Sequence, residues 1–321
     1  MRMVELGATG LRVSALAYSV YGRRGPYEGL TRKEVIELIR EAWRLGINFY
    51  VTAPVYGNEA LELLGEALGD NLDNAVVAVL VGYKESGEQS FEPDFLHDEV
   101  ERSCDLIGKC PVDLVLLHDP PLEVLRLPQV YEAARALVED ELASHIGVSI
   151  ARGPDALAAA RAALRRGEVE VLRVIYNMLE QEPGATIIRE AKERGRGVVA
   201  AMPHAGGLLL GETPRDWERL DPYYAGGKRM RGWYRSALAL YEFMKEELRS
   251  ELEEVLEEAS PAQLAIRFIF STAPVDAVEV AARSREKLRE LAEAVEQPAL
   301  PEALLAGLRR TYQARVGAGT A

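Results

Sequence analysis

Cysteine is nearly missing from this chain of 321 residues, and what there is supports neither a disulfide framework nor a metal-ligand spacing. Cys104 and Cys110 flank a predicted helix end and read as two reduced thiols. No stretch of about eighteen apolar residues occurs, so no membrane-spanning helix is predicted. The opening MRMVELGATG has no apolar signal-peptide core, and a cytoplasmic protein is expected. Positive charge is in deficit as well. With 38 basic residues against 51 acidic ones, the net charge of −13 leaves no basic surface for nucleic acid. No G-x-G-x-x-G follows the first predicted strand, which disfavours a Rossmann fold. These absences set nucleic acid and a membrane aside as expected partners.

What is present is an alternation. Apolar, β-rich runs recur at 15–20, 48–53, 75–82, 112–119, 144–151, 169–177, 197–203 and 275–282. Between and after them lie segments of helical period, such as TRKEVIELIREAWRLG and SREKLRELAEAV. Eight strand-then-helix units predict an α/β fold: a parallel sheet closed into a (β/α)8 TIM barrel. A hairpin over 3–14, turning at 8–10, precedes it, and one extra helix follows near the C-terminus. A single domain over 1–321 is expected. Residues 211–236 are rich in Tyr, Trp, Arg and Gly and read as a lid loop over the barrel mouth; an insertion without function fits equally well. The acidic run 246–260 reads as one amphipathic helix with Leu248, Leu252 and Leu256 on its buried face.

In such a barrel, chemistry sits at the carboxyl ends of the strands. Those ends offer Tyr56 after the second strand and His118 after the fourth. A phenol that donates a proton and an imidazole that orients an oxygen form a plausible acid–base pair. A tyrosine in such a loop is more often packing, so other groups must converge on Tyr56 to make it functional. Ser149, Asn177, His204 and Arg283 stand at later strand ends.

Taken in order, LGATGLRVSALAYSVYG, GINFYVTAPVYG, VDLVLLHD, IGVS, VIYN and SPAQLAIRF resemble the aldo-keto reductases, nearest the branch acting on aldoses and small aldehydes. The resemblance covers residues 3 to 296. It implies a (β/α)8 barrel that binds NADP(H) without a Rossmann domain and transfers hydride to a carbonyl. The acid would be a tyrosine, assisted by lysine, aspartate and histidine. Tyr56 and His118 match two of these four. The aspartate falls on Val51 and the lysine on Leu80, with Lys84 lying past the strand end. At the nicotinamide end the implied contacts fall on Ser149, Ile150 and Arg173, with Asn177 nearby. Gly206 and Gly207 match the pyrophosphate loop. Arg283, Ser284 and Lys287 match the 2′-phosphate contacts, and Glu290 an adenine contact.

The two losses form a unit. A lysine lowers the phenol's pKa, and the aspartate compensates the lysine. Either charge alone, buried, would be destabilising by several kcal/mol; both are absent together. The expectation is a protein that binds NADP(H) or another phosphorylated ligand, with carbonyl reduction of the family's kind no longer supported. Two alternatives stay open on the residues. One is a working oxidoreductase of small aldehydes or aldoses that uses Tyr56 and His118 with Arg173 or Lys84 as the cation. The other is a non-redox isomerase or lyase with the same acid–base pair. Arg173 stands in an apolar strand and calls for a buried carboxylate or phosphate partner. Arg283 and Lys287 fit a solvated surface too, but cations in a first helical turn oppose the macrodipole unless an anion is bound. No metal site is predicted.

Overall fold

The apolar runs become strands because β-branched and aliphatic side chains suit a sheet covered on both faces. In the computed structural model, which describes residues 1–84, 86–210 and 228–317, they close into a barrel. The hairpin strands β1 (Met3–Glu5) and β2 (Arg12–Ser14) pair antiparallel ahead of it. The barrel strands are β3 (Leu16–Ser19), β4 (Phe49–Thr52), β5 (Val76–Val81), β6 (Val112–Leu117), β7 (Ala143–Ile150), β8 (Val171–Ile175), β9 (Gly197–Ala201) and β10 (Ala277–Val280). All are parallel, each beside its successor, and β10 closes on β3 with Val278 opposite Leu16. The expected (β/α)8 barrel with its N-terminal hairpin is therefore the observed fold.

The helices form the outer layer. In the first half they are α1 (Arg32–Arg44), α2 (Asn58–Leu68), α3 (Pro93–Ile107), α4 (Pro128–Glu139), α5 (Ala156–Leu164) and α6 (Gly184–Lys192). Then come α7 (Lys228–Glu247), α8 (Arg249–Leu256), α9 (Pro261–Thr272), α10 (Arg285–Ala294) and the extra C-terminal α11 (Glu302–Gly317). Capping boxes at Thr31 and Ser260 fix the starts of α1 and α9 by satisfying backbone N–H groups that have no intrahelical partner. Among the described residues, no helix is long and apolar enough to cross a membrane.

Two expectations need correction. Residues 228–236 are not irregular; they form the first part of α7, and 211–227 lie outside the described residues. The acidic run 246–260 is not one helix either. The chain turns at Leu248, whose ψ of 29° lies outside the helical range, and α8 starts afresh. That change of axis buries Leu248, Leu252 and Val255 but leaves Leu256 exposed.

Strand orientation decides what lines the barrel. Tyr50 bonds the carbonyl of Ile47 at 3.0 Å and reaches that of Ile39 in α1, so it faces the helices. Its neighbour Val51 then faces inward, because side chains alternate along a strand. Val51 is opposite Ser19 in the register and Leu80 is opposite Leu116. His118 follows two residues after Leu116 and so continues the same inward row.

Candidate active site

Pro54 stops β4 and starts the single helical turn Pro54–Tyr56, which sets Tyr56 at the barrel's carboxyl end. The Tyr56 ring is buried and leans on Tyr21, with centroids 4.4 Å apart. His118 follows β6 directly; its N–H donates to the Val81 carbonyl at 2.8 Å, and its own carbonyl accepts from the Gln89 amide at 3.2 Å. The Tyr83 ring meets the imidazole edge-on at 5.0 Å. Burial pushes the His118 pKa down to about 4, with Arg173 acting in the same direction and Asp119 and Glu279 opposing. The ring is therefore neutral near pH 7, with one nitrogen as donor and the other as acceptor.

Val51 and Leu80, each 1% exposed, present only hydrocarbon to the interior. Lys84 brings no charge to that wall. It lies beyond the end of β5, half exposed, with its ammonium 3.5 Å from Glu88.

Charge does exist inside the barrel, on the opposite wall. Arg173 of β8 donates from Nε to Glu279 Oε2 of β10 at 2.5 Å and from Nη2 to Oε1 at 3.2 Å. Ser19 of β3 donates to the same carboxylate. Arg173 Nη1 donates to Ser149 Oγ at 3.1 Å, and Ser149 Oγ donates to Asp119 Oδ1 at 2.5 Å. Burial alone would raise the Glu279 carboxyl, but Arg173 and the Ser19 hydroxyl outweigh it and hold the pKa below the usual range. The pair is thus ionised, and a buried ion pair survives only when its remaining hydrogen bonds are also made.

At the end of this chain of contacts, Asp119 adopts a φ of 51°, uncommon for a residue other than glycine. The Gln89 amide fixes its carbonyl at 2.9 Å. Its charge adds to burial in raising the Tyr83 phenol.

Sequence reasoning asked for a partner to Arg173 without finding Glu279. The signal was there: a single acid at an inward position of the apolar run 275–282, two residues from Ala277. Asn177 is held in place too. Its Nδ2 donates to the Met202 carbonyl at 2.9 Å and to Glu180 at 3.0 Å, while its Oδ1 accepts from Leu179 N–H at 2.9 Å. That bonding makes it the organiser of the turn after β8.

The other end of the mouth is built differently. After β9 the backbone takes left-handed conformations at Met202 and Ala205 and at Gly206 (φ 64°) and Gly207 (φ 96°), and the turn is held by Ala205 N–H on the Met202 carbonyl and Gly207 N–H on the His204 carbonyl, both at 3.0 Å. Ser284 caps α10, its Oγ accepting from Lys287 N–H at 3.1 Å. Lys287 Nζ sits 2.7 Å from Glu290, which also accepts from Ser260. Arg283 crosses to the carbonyl of Glu28 at 2.8 Å. His204 is buried, with its pKa pushed down to about 4 chiefly by that burial, and it feels the charges of Lys287 and Glu290. Its Nε2 has no hydrogen-bond partner among the described residues. A helix N-terminus and two cations form a donor set of the kind that suits a phosphate-bearing ligand.

The fold agrees with what the chain resembles. A solved structure, the holo form of an aldo-keto reductase from Bacillus halodurans, superposes with a TM-score of 0.75 at 21% identity, covering 97% of this chain and 96% of that one. L-galactose dehydrogenase of Arabidopsis thaliana is 28% identical over 227 residues, covering 68% of this chain and 70% of that protein. D-threo-aldose 1-dehydrogenase of a Pseudomonas species is 26% identical over 238 residues, covering 65% of this chain and 71% of that protein. The sequence profile of the aldo/keto reductase family matches residues 20–311, nearly the whole barrel, and on that match the chain belongs to the aldo-keto reductase family.

Proposed function

We propose that the protein binds NADP(H) at the carboxyl end of the barrel and does not reduce carbonyls through a lysine-activated tyrosine. One observation carries this reading: Val51 and Leu80, where the resemblance calls for an aspartate and a lysine, face the interior as hydrocarbon and supply no charge there. A positioned proton donor contributes roughly 10²–10⁴-fold to such a reaction, and an unactivated phenol forfeits much of that. The residues that would hold the cofactor are Gly206, Gly207, Arg283, Ser284 and Lys287 at the phosphate end, with Glu290 beside the adenine. When bound, NADPH would supply a hydride.

The test is a fluorescence titration of the whole chain with NADPH and NADH, followed by an assay on small aldehydes and aldoses. Saturable NADPH binding without turnover is the expected result. Absence of NADPH binding removes the reading.

A second reading is favoured by the retention of both Tyr56 and a neutral His118, and by relatives named as sugar dehydrogenases. It is a working oxidoreductase on aldoses. Turnover with NADP(H) that disappears in Tyr56→Phe would establish it in place of the first.

A further inference from the structure

At the amino end of the barrel strands, away from the mouth, the two cysteines of the chain are neighbours. Cys104 lies in the last turn of α3, and Cys110 stands two residues before β6. Gly108 takes a left-handed φ of 79°, and the N–H groups of Gly108 and Lys109 both donate to the Cys104 carbonyl, at 2.8 and 3.2 Å. This closing motif reverses the chain directly after the helix and brings residue 110 back against the turn that holds residue 104. Both thiols then donate to successive carbonyls of one loop. Cys104 Sγ reaches Leu142 at 3.6 Å and Cys110 Sγ reaches Glu141 at 3.7 Å. The two sulfurs lie within hydrogen-bonding reach of one another.

The pair is divided in exposure: Cys110 is exposed and Cys104 is buried. Burial, and then the adjoining Cys110 thiol, push the Cys104 thiol up to about 12, so near neutral pH it keeps its proton. An oxidant in solution therefore meets Cys110 first, with a second thiol already behind it. A buried cysteine is ordinarily a small apolar filler, and contact with an exposed thiol sets this one apart. β6 runs 6 residues from this end toward His118, about 20 Å at the usual rise of a strand, so the pair stands well clear of the mouth.

We propose that Cys104 and Cys110 form a reversible oxidation site, closed to a disulfide by peroxide, and that the bond staples the end of α3 to the start of β6. In the first step the Cys110 sulfur attacks a peroxide oxygen; the O–O bond breaks, Cys110 becomes a sulfenic acid and one water leaves. The Cys104 sulfur then attacks the Cys110 sulfur. The S–O bond breaks, and the departing hydroxide takes the Cys104 proton to form the second water. In all, the two thiols lose two electrons and two protons, and one hydrogen peroxide becomes two waters. A dithiol reductant reopens the bond by exchange. The sulfurs need only close from hydrogen-bond reach to the S–S length of about 2.05 Å, a movement that falls on the exposed Cys110. Nothing in this chemistry depends on the ligand held at the mouth.

To test it, the whole chain, folded and reduced, is treated with hydrogen peroxide, then unfolded and alkylated with iodoacetamide, and its mass and peptides are measured. Neither cysteine should take the alkyl group, and the intact chain should be lighter by two hydrogen atoms. Dithiothreitol before alkylation should restore both sites. Cys110→Ser, a change at an exposed position, should leave Cys104 open to alkylation after the same treatment. Cys104 oxidised to the same extent in that variant would overturn the proposal. The oxidised wild type should melt about 2–5 °C above the reduced one, the effect of closing a short loop in a chain of this size. An oxidised chain that melts below the reduced one overturns the proposal, because the folded geometry then rejects the bond. So does a wild type whose Cys110 gains oxygen while Cys104 still alkylates, one joined to a second copy through Cys110, or one left unmodified by peroxide that fully oxidises free cysteine.

Discussion

Arg173 and Glu279 grip one another across the strand that separates them, two hydrogen bonds joining β8 to β10 inside the barrel. The register puts Val51 beside Ser19, and Ser19 bonds Glu279. One wall of the interior is therefore hydrocarbon and the other carries a closed ionic network. That division, and the proposed anion site at α10, can each be tested.

The first concerns the ion pair. Arg173→Leu or Glu279→Leu alone leaves one buried charge without its partner and should cost roughly 3–5 kcal/mol of stability. Replacing both with leucine should bring stability back to within about 1–2 kcal/mol of the wild type, since such pairs often do no better than apolar residues of similar volume. Urea denaturation of the four forms measures this. Additive losses in the double variant would show that the two residues act separately.

The apolar wall makes the complementary case. Val51→Asp and Leu80→Lys singly should each destabilise by about 3–5 kcal/mol, and the double variant by less than their sum, through a coupling of about 0.5–3 kcal/mol. The double variant should also gain NADPH-dependent aldehyde reduction, because a lysine would then lie where it can lower the phenol's pKa. A wild type that already reduces aldehydes as fast as the double variant sinks this prediction and the proposed function with it.

Arg283→Ala should weaken NADPH binding by about tenfold or more, the loss of a charge-assisted contact, and weaken NADH binding much less. Paired fluorescence titrations give the ratio. Equal weakening of both would detach Arg283 from the 2′-phosphate.

Acid should destabilise the protein in a defined window. His118 and His204 have folded pKa values near 4, below the ordinary value of about 6.5. Between those two values the unfolded chain binds protons that the folded chain does not, so stability falls as pH drops from about 6.5 to about 4. Glu279, with its lowered pKa, adds a loss at lower pH, where the unfolded glutamate binds a proton and the folded one does not. His204→Leu should flatten the upper part of this curve while leaving stability near pH 7 unreduced. Denaturation across that range provides the test; an unchanged slope would mean that His204 is not the titrating group.

Much of the molecule was legible in the chain. Eight apolar runs, each followed by a helical segment, specify a barrel because parallel strands need helical crossovers and cover on both faces. The hairpin turn at 8–10 and the capping residues Thr31 and Ser260 are local chemistry and could be read locally. The single acidic helix over 246–260 failed because its leucine spacing does not record the break at Leu248, which a change of packing partners imposes. Residues 228–236 read as loop because aromatic and glycine residues are poor helix formers alone, and tertiary packing overrode that preference in α7.

The sequence by itself determined the barrel, the family likeness and the hydrocarbon at Val51 and Leu80, since each is a matter of residue type at a position along a strand. Only the tertiary structure decided which carboxylate Arg173 would meet. Its partner lies 106 residues away, and no spacing rule connects them. Closure of the barrel does so, by turning the inward faces of β8 and β10 toward a common axis where an isolated charge is too costly to leave unpaired.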